Sequence, residues 1–287
     1  MAHFEETAIG FKSIFQKTFN DTRCDSEVLA TRIQSSDLSE KYTWLGNFPN
    51  MKEWVGERDV KKFNDYGYAL ENKLFEASVS VPRTHLDYDK IGIYRPAIEQ
   101  MAQNAKRYGA NLIAEILING ADASKGKCYD GVAFFAKNHT VGSDTYANNG
   151  TGALDSEHLL AAEGFMRSIK SAGGENLGVI PTHLVCGVSN LASSIQAVQK
   201  EYLKGGETNP TFKRYEVIIL PQITDKSWYL LDLSKAIKPF VLQVARDGVF
   251  EASDDDKFMK DSALFGCSSF MNAGYALWQL AYRSSGE

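Results

Sequence analysis

The sequence lacks a long apolar run and a basic excess, and its first residues do not predict a leader. Although 44% of its 287 residues are hydrophobic, no window approaches the ~18 consecutive apolar residues that a membrane helix needs. The first residues, MAHFEETAIGFKSIF, show no basic region followed by an apolar run, so we expect no signal peptide. A chain of this length is enough for one large domain or two small ones. We therefore expect a globular protein that crosses no membrane and stays where it is made.

The charge balance argues against tight binding of nucleic acid. The formal net charge is −5, with 31 basic and 36 acidic residues. Proteins that grip DNA or RNA through the phosphates show a basic excess or a basic stripe. Here lysine and arginine are scattered among acidic neighbours, so the sequence predicts no specific nucleic-acid site. Passive contact with enclosed nucleic acid stays open.

The residues that usually bind metals are badly spaced for that purpose. The four cysteines are far apart without a CxxC pair, so we expect free, mostly buried thiols. No two histidines are placed to share a helix face, and the Asp254–Asp256 run lacks the alternating ligands of a calcium loop. The sequence predicts no metal and no cofactor. These cysteines and histidines are Cys24, Cys128, Cys186, Cys267, His3, His85, His139, His158 and His183.

Three segments resemble catalytic motifs without completing them. GADASKGK at 120–127 has five residues between its glycines instead of four and is followed by Cys128, so it departs from a phosphate-binding loop. Gly187-Val188-Ser189 has the setting of a nucleophile elbow, but Leu191 replaces the second glycine and no histidine follows His183. Asp87 and Asp89 are explained by favourable charge near a helix start. The sequence predicts no enzyme, and a soluble α+β hydrolase using Ser189 is kept as the weaker alternative.

Apolar periodicity predicts a mixed α+β chain. A helix is expected over 96–119, with an apolar stripe of period three and four, and a second over 156–171 with Asp155 as N-cap. A third helix, capped by Asn190, would bury Leu191, Ile195, Val198 and Tyr202. Strands are expected at 182–188, 215–220, 228–233 and 240–245, an acidic loop at 251–257 and a final apolar segment at 264–282. Residues 1–43 predict one short helix around Phe11, Ile14, Phe15 and Thr18, and otherwise an extended arm.

Residues 66–82 predict a strand with one apolar face, formed by Phe75, Ala77, Val79 and Val81. With the segment at 54–63 it would make a two-stranded ribbon. Such a ribbon is marginal in water by itself. We therefore expect an adjacent copy of the chain to cover its apolar face.

An ordered set of short motifs is similar to the Mu-like phage major head subunit family. This family belongs to the tailed-phage major capsid proteins with the Hong Kong-97-type fold. Tyr88, Cys267 and Ser269 depart from the family's pattern. The resemblance covers about residues 44 to 283 and rests on WVGER at 54–58, NKLFE at 72–76, DKIGIY at 89–94, CYDGVAFFAKNH at 128–139, NP at 209–210, WYL at 228–230 and GYALWQLAY at 274–282.

The resemblance implies a capsid architecture with four parts. These are an N-terminal arm (1–51), an extended loop (52–88), a peripheral domain with a long spine helix (89–153 and 244–287) and an axial domain (154–243). The extended loop would lie over a neighbouring subunit. The residues implied in that contact are Trp54, Arg58, Phe75 and Glu76.

The implied function is that of a major capsid protein. Its copies would form hexamers and pentamers that close into an icosahedral shell around double-stranded DNA, without binding it specifically. The expected partners are further copies of the chain together with scaffold, portal and decoration proteins. The chain would assemble in the bacterial cytoplasm and reside in the virion. An encapsulin-like compartment with an enzyme cargo is the second alternative.

Overall fold

The computed structural model describes residues 2–46, 67–88, 91–203, 205–255 and 260–287, and these mix helices with sheets. The α-helices are α1 (Ala2–Asp21), α2 (Arg83–Asp87), α3 (Ile91–Asn119), α4 (Ser156–Ser168) and α5 (Leu191–Ser194), with a π-helical turn at Ile195–Gln199 and 3-10 turns at Asp25–Leu29, Val188–Asn190 and Trp278–Leu280. The strands are β1 (Ala30–Gln34), β2 (Ser39–Lys41), β3 (Ala69–Glu71), β4 (Lys73–Pro82), β5 (His139–Val141), β6 (Asp144–Tyr146), β7 (Asn149–Gly150), β8 (His183–Cys186), β9 (Glu216–Ile219), β10 (Trp228–Leu231), β11 (Phe240–Ser253), β12 (Ser262–Tyr275) and β13 (Ala281–Ser284).

A four-stranded sheet in the order β1-β11-β12-β4 is built on two strands of 14 residues. β11 and β12 pair antiparallel from Phe240 opposite Tyr275 to Ser253 opposite Leu264, with two register shifts between Val244 and Val249. β1 adds in parallel to β11, and β4 adds antiparallel to β12. β11 therefore runs well past the predicted strand end at 245 and takes in the start of the predicted acidic loop. Residues 256 and 257 of that loop lie outside the described residues.

The helix α1 covers one face of this sheet, where an extended arm was expected. Phe11 and Phe15 are fully buried, and the Phe11 ring meets Phe265 edge-on at 5.0 Å between centroids. Gly248, with φ +57, lies directly beneath Phe19, and a Cβ there would lie 2.4 Å from the Phe19 ring. The predicted short helix is thus 20 residues long. The expectation of a mostly extended arm is wrong for residues 2–21, because this apolar face packs on its own sheet.

The long helix α3 begins at Ile91 instead of Pro96. Proline tolerates this position at the cost of the hydrogen bond that its missing N–H would make to the carbonyl four residues earlier. The predicted stripe is only partly buried, since Tyr108 stays 38% exposed. The helix backbone comes closest to the sheet at a small residue, since a Cβ on Gly109 would lie 3.4 Å from Leu242 on β11. The predicted stripe is therefore correct at Ile98 and Met101, which are buried, and its residues Ala105, Leu112 and Ile116 are half-buried and pack against the cores.

The second large sheet has five strands in the order β7-β13-β10-β8-β9. Its central strand, β10, has all four side chains buried. The helix α4 packs on β10 and β13, and its Asp155 cap is confirmed, because the carboxylate accepts a hydrogen bond from the His158 N–H at 2.8 Å. This helix ends at Ser168, three residues before the prediction.

The third predicted helix is present but buries a different face. Of its predicted core residues only Val198 is buried, whereas Leu191, Ile195 and Tyr202 are 44%, 36% and 58% exposed. The prediction of this face is wrong, because the side that packs inward carries Ser194 and other small residues. Asn190 precedes the helix, but its side chain donates to the Lys226 carbonyl instead of capping.

The burial of α1 predicts a large effect of Phe15→Ala. Deleting a fully buried ring that contacts Phe250 at 5.4 Å between centroids should lower the free energy of unfolding by about 3–5 kcal/mol. Urea unfolding followed by circular dichroism measures this loss. The matched control is Ile9→Ala on the same helix, where the side chain is 70% exposed and the change should be within about 0.5 kcal/mol. Equal effects at both positions would show that α1 does not pack as described.

Candidate assembly surfaces

The residues predicted to touch a neighbouring subunit fall into two groups. Trp54 and Arg58 lie outside the described residues. Phe75 and Glu76 are adjacent on β4, where the Phe75 ring packs on Tyr108 at 4.4 Å between centroids. Glu76 is exposed on the opposite face and accepts a hydrogen bond from the Ser78 hydroxyl at 2.7 Å. Their role in contacts between subunits stays a prediction.

The apolar face of β4 is covered by its own chain. Val81 is completely buried, while Ala77 and Val79 pack against the cluster that contains Phe11, Phe15 and Phe265. The expectation that an adjacent copy covers this face is therefore wrong for residues 73–82. The reason is that α3 packs on this face through Tyr108, which contacts Phe75, and that Ala77, Val79 and Val81 belong to the cluster built around Phe11 and Phe15 of α1. The other half of the predicted ribbon, at 54–63, lies outside the described residues.

The described residues on either side of 47–66 are held together on the four-stranded sheet. β2 and β3 pair antiparallel, and the Tyr42 hydroxyl donates to Oε1 of the fully buried Gln243 at 2.6 Å. The same Gln243 amide donates to the Leu70 carbonyl at 3.1 Å. Burial, with a smaller contribution from Glu40, raises the pKa of Tyr42 to about 12, so its hydroxyl keeps its proton and remains a donor. This network fixes where the segment leaves the sheet and where it returns.

Asp130 and His139, which belong to one of the sequence motifs, form a buried structural pair. His139 Nδ1 lies 2.6 Å from an Asp130 carboxylate oxygen and its Nε2 lies 3.2 Å from the Phe134 carbonyl. The imidazole stacks on Trp278 at 4.0 Å between centroids. Nearby, the buried Asn148 amide donates to the Phe134, Trp278 and Ala281 carbonyls. The pair is enclosed and joins the 128–148 segment to the chain around Trp278.

Ser189 is not arranged as a nucleophile. Its hydroxyl donates to the Asp225 carbonyl at 2.5 Å, which occupies the proton that a catalytic base would take. His183 is engaged elsewhere, with Nε2 at 3.1 Å from Glu216 and Nδ1 at 2.8 Å from the Thr182 hydroxyl. Burial lowers the pKa of His183, and Glu216 opposes that shift. This geometry gives the hydrolase alternative no support.

The described ranges contain neither a metal cluster nor a membrane-spanning helix. No group of three or more His, Cys, Asp or Glu side chains there is placed to hold a metal ion. None of the helices in the same residues has the length and apolar character that crossing a membrane requires.

A buried carboxylate braces the five-stranded sheet from its flank. Glu163 on α4 is 3% exposed and accepts hydrogen bonds from Arg167, from Arg214 at 2.6 Å and from the Tyr215 hydroxyl. Burial alone would raise the pKa of Glu163, but hydrogen bonds from Arg214, Tyr215 and Arg167 outweigh it and lower the pKa to about 2. Because Tyr215 leads directly into β9, the brace ties this edge strand to α4.

The brace predicts an acid-dependent effect of Glu163→Gln. A folded-state pKa below the ordinary 4.5 means that the carboxylate stabilises the fold above about pH 4.5 and that this stability is lost as the pH falls toward about 2. The variant should therefore be less stable than the parent near pH 7, and the difference should shrink near pH 3. Urea unfolding at several pH values measures it. Glu157→Gln, an exposed position on the same helix, is the control. A pH-independent difference would contradict the brace.

Sequence reasoning missed the side chains that make these connections. The Glu163–Arg167 spacing of four on a helix was an available signal for half of the brace. Gln243 and Arg214 gave no signal, because their partners are 201 and 51 residues away along the chain.

Comparisons with known proteins point to one group. A sequence model of the family described as Mu-like prophage major head subunit gpT matches residues 4–153, 146–223 and 222–287. The chain is 30% identical over 277 residues to the major capsid protein of Escherichia phage Mu, covering 95% of this chain and 70% of that protein. It is 26% identical over 283 residues to the Mu-like prophage FluMu major head subunit of Haemophilus influenzae, covering 97% and 72%.

A solved particle structure agrees with these sequence matches. The fold is similar to a chain in the procapsid of bacteriophage JBD30, with a TM-score of 0.61 and 27% identity. The match covers 97% of this chain and 74% of that one.

Proposed function

This chain belongs to the Mu-like prophage major head subunit gpT family, and from that premise we propose that its copies form hexamers and pentamers that close into an icosahedral shell around double-stranded DNA. The predicted family, the α+β class and the Hong Kong-97-type capsid fold are confirmed. The chain is a major capsid protein of a tailed phage. It self-assembles into a shell and resides in the capsid of the virion.

One observation carries the function. The family match runs from residue 4 to the last residue, so both sheets, α1 and α3 fall within it. Relatives in this family are structural capsid proteins, and we propose that this chain likewise has no catalytic activity. The hydrolase alternative also fails on the geometry of Ser189. The encapsulin-like alternative is less supported, because the family comprises phage and prophage head subunits.

The division of labour within the subunit is part of the proposal. We propose an arm (1–51), an extended loop (52–88), a peripheral domain (89–153 and 244–287) and an axial domain (154–243), except that residues 281–284 join the axial domain. Two features support the general arrangement: α3 lies along the long hairpin of β11 and β12, and α4 lies on the five-stranded sheet. The pairing of β13 within the five-stranded sheet means that the last residues return to the side of the axial part.

The partners beyond the chain itself are also proposed. A shell filled with DNA needs a portal for entry and a scaffold that sets its curvature, and decoration proteins would add to its outer surface. The mild negative charge suits an enclosing wall, since a net charge of −5 discourages adhesion to phosphates. Assembly would take place in the bacterial cytoplasm.

Particle formation tests the function directly. Expression of the chain in bacteria, followed by sucrose-gradient sedimentation and negative-stain microscopy, should give capsomers or hollow particles. The reason is that a shell protein makes heterologous, closing contacts. Only small monomers or dimers across a range of salt and protein concentration would contradict the proposal.

The proposed role of the extended loop predicts that a substitution in it affects assembly more than it affects folding of the subunit. Trp54→Ala should reduce particle yield while changing subunit stability little, because loss of an aromatic anchor at an interface costs on the order of 2 kcal/mol or more. Trp44→Ala is the matched control: Trp44 packs on the subunit's own core and meets Tyr42 edge-on at 5.8 Å. Trp44→Ala should therefore lower the stability of the unassembled subunit more than Trp54→Ala does. Unchanged particle yield for Trp54→Ala would remove Trp54 from the proposed contact.

A further inference from the structure

The segment 187–199, GVSNLASSIQAVQ, has no charged residue, although 23% of the chain is charged. It follows β8 at one end of the five-stranded sheet and contains α5 and the π-helical turn. Neither its sequence motif nor the proposed function accounts for it. Its side chains are arranged in an unusual way.

The inward side of the helical part of this segment carries mostly small and polar residues, together with the buried Val198. Asn190, Ser194 and Ala197 are only 6%, 1% and 4% exposed. The polar groups among them are satisfied, since Asn190 donates to the Lys226 carbonyl at 2.6 Å and Ser194 donates to the Leu191 carbonyl at 2.8 Å. The inward face is therefore stable as it stands, because buried polar groups with partners carry no penalty.

The outward face is apolar. Val188, Leu191 and Ile195 are 56%, 44% and 36% exposed, and their spacing of three and four places them on one side of the helical turns. We call these three residues the tip face. A cluster of exposed branched apolar residues with no charge between them is typical of a surface that another molecule covers.

Charge indicates which molecule covers the tip face. Two copies of a chain with net charge −5 repel each other electrostatically. A surface without charged side chains is therefore the place where they can come into close contact at the lowest electrostatic cost. At the border of this patch Lys200 and Glu201 are adjacent, exposed and of opposite sign, so Lys200 of one copy can pair with Glu201 of a rotated neighbour. We infer that the tip face is a contact between copies of this chain in the assembled shell, an inference that rests on the proposed function.

Cysteine protection tests this contact. In a Cys24→Ser background, which removes the one partly exposed native thiol, Ile195→Cys is labelled with a small maleimide in particles and in unassembled subunits. Labelling in particles should be at least about tenfold slower, since interface cores exclude solvent. Ile180→Cys is the control, because Ile180 is apolar, 48% exposed and outside the tip face. If only the interface is shielded, the labelling rate of Ile180→Cys should differ by less than about twofold between particles and unassembled subunits.

The other outcomes are decisive as well. Equal labelling of Ile195→Cys in the two forms overturns the contact, and so does equal protection at both positions, which reflects exclusion by the whole wall. Protection that appears only when another virion protein is added assigns the face to that protein and also overturns it. If the parent chain forms no particles, the proposed function fails instead.

A charge substitution gives a second measurement. Leu191→Asp should lower particle yield about tenfold, because each copy would bury an unpaired carboxylate in the contact. Ile180→Asp should not. Thermal unfolding of the unassembled subunits shows whether either variant is folded; normal yield of folded Leu191→Asp particles would overturn the inference. If Leu191→Asp does not fold, the labelling of Ile195→Cys decides.

Discussion

The antiparallel pairing of β11 and β12 is the interaction on which the rest of this subunit depends. It brings β1 and β4, which come from the first third of the chain, onto the two sides of one sheet. It also creates the apolar face on which α1 packs through Phe11, Phe15 and Phe265. Because none of these partners is close in sequence, each depends on the hairpin for its place. A strand of 14 residues spans about 45 Å at 3.3 Å per residue, which suits a protein that must be wide and thin.

The same pairing connects the two sheets. At its start, Phe240 and Tyr275 face each other, and both rings contact Phe134 at 5.0 Å between centroids. Phe135, the next residue, contacts Tyr229 of the five-stranded sheet at 5.4 Å. The core therefore continues from one sheet to the other through aromatic side chains. A subunit built in this way transmits a load at one end to the other through packed rings, since close-packed interiors are stiff.

Local chemistry predicted the elements better than it predicted their faces. The Asp155 cap and the strands around β8, β9 and β10 follow from short-range patterns, and they occur close to the predicted positions. The extent of α1 and the cover over β4 do not, because both depend on contacts between elements that are separated in the sequence, such as those of Phe11 and Phe15 with Phe265 and Phe250. For the proposed contacts the resemblance named Phe75 and Glu76, and both lie on β4. The spacing of four between Glu163 and Arg167 indicated half of the brace, whereas nothing indicated Arg214 or Gln243, whose partners come together only in the fold.

The tip face shows why periodicity is a weaker guide in a shell protein than in a free enzyme. A stripe such as Leu191 and Ile195 predicts burial, but both residues lie on the outward side of the subunit, where we propose that another copy of the chain covers them. In a monomer the small, polar inward face would be a poor choice, because it gives up apolar burial. In an assembly the choice is sensible: the subunit remains soluble through its net charge, and each contact can be weak. Many weak contacts act together when a shell closes, so a few exposed apolar side chains per copy are sufficient.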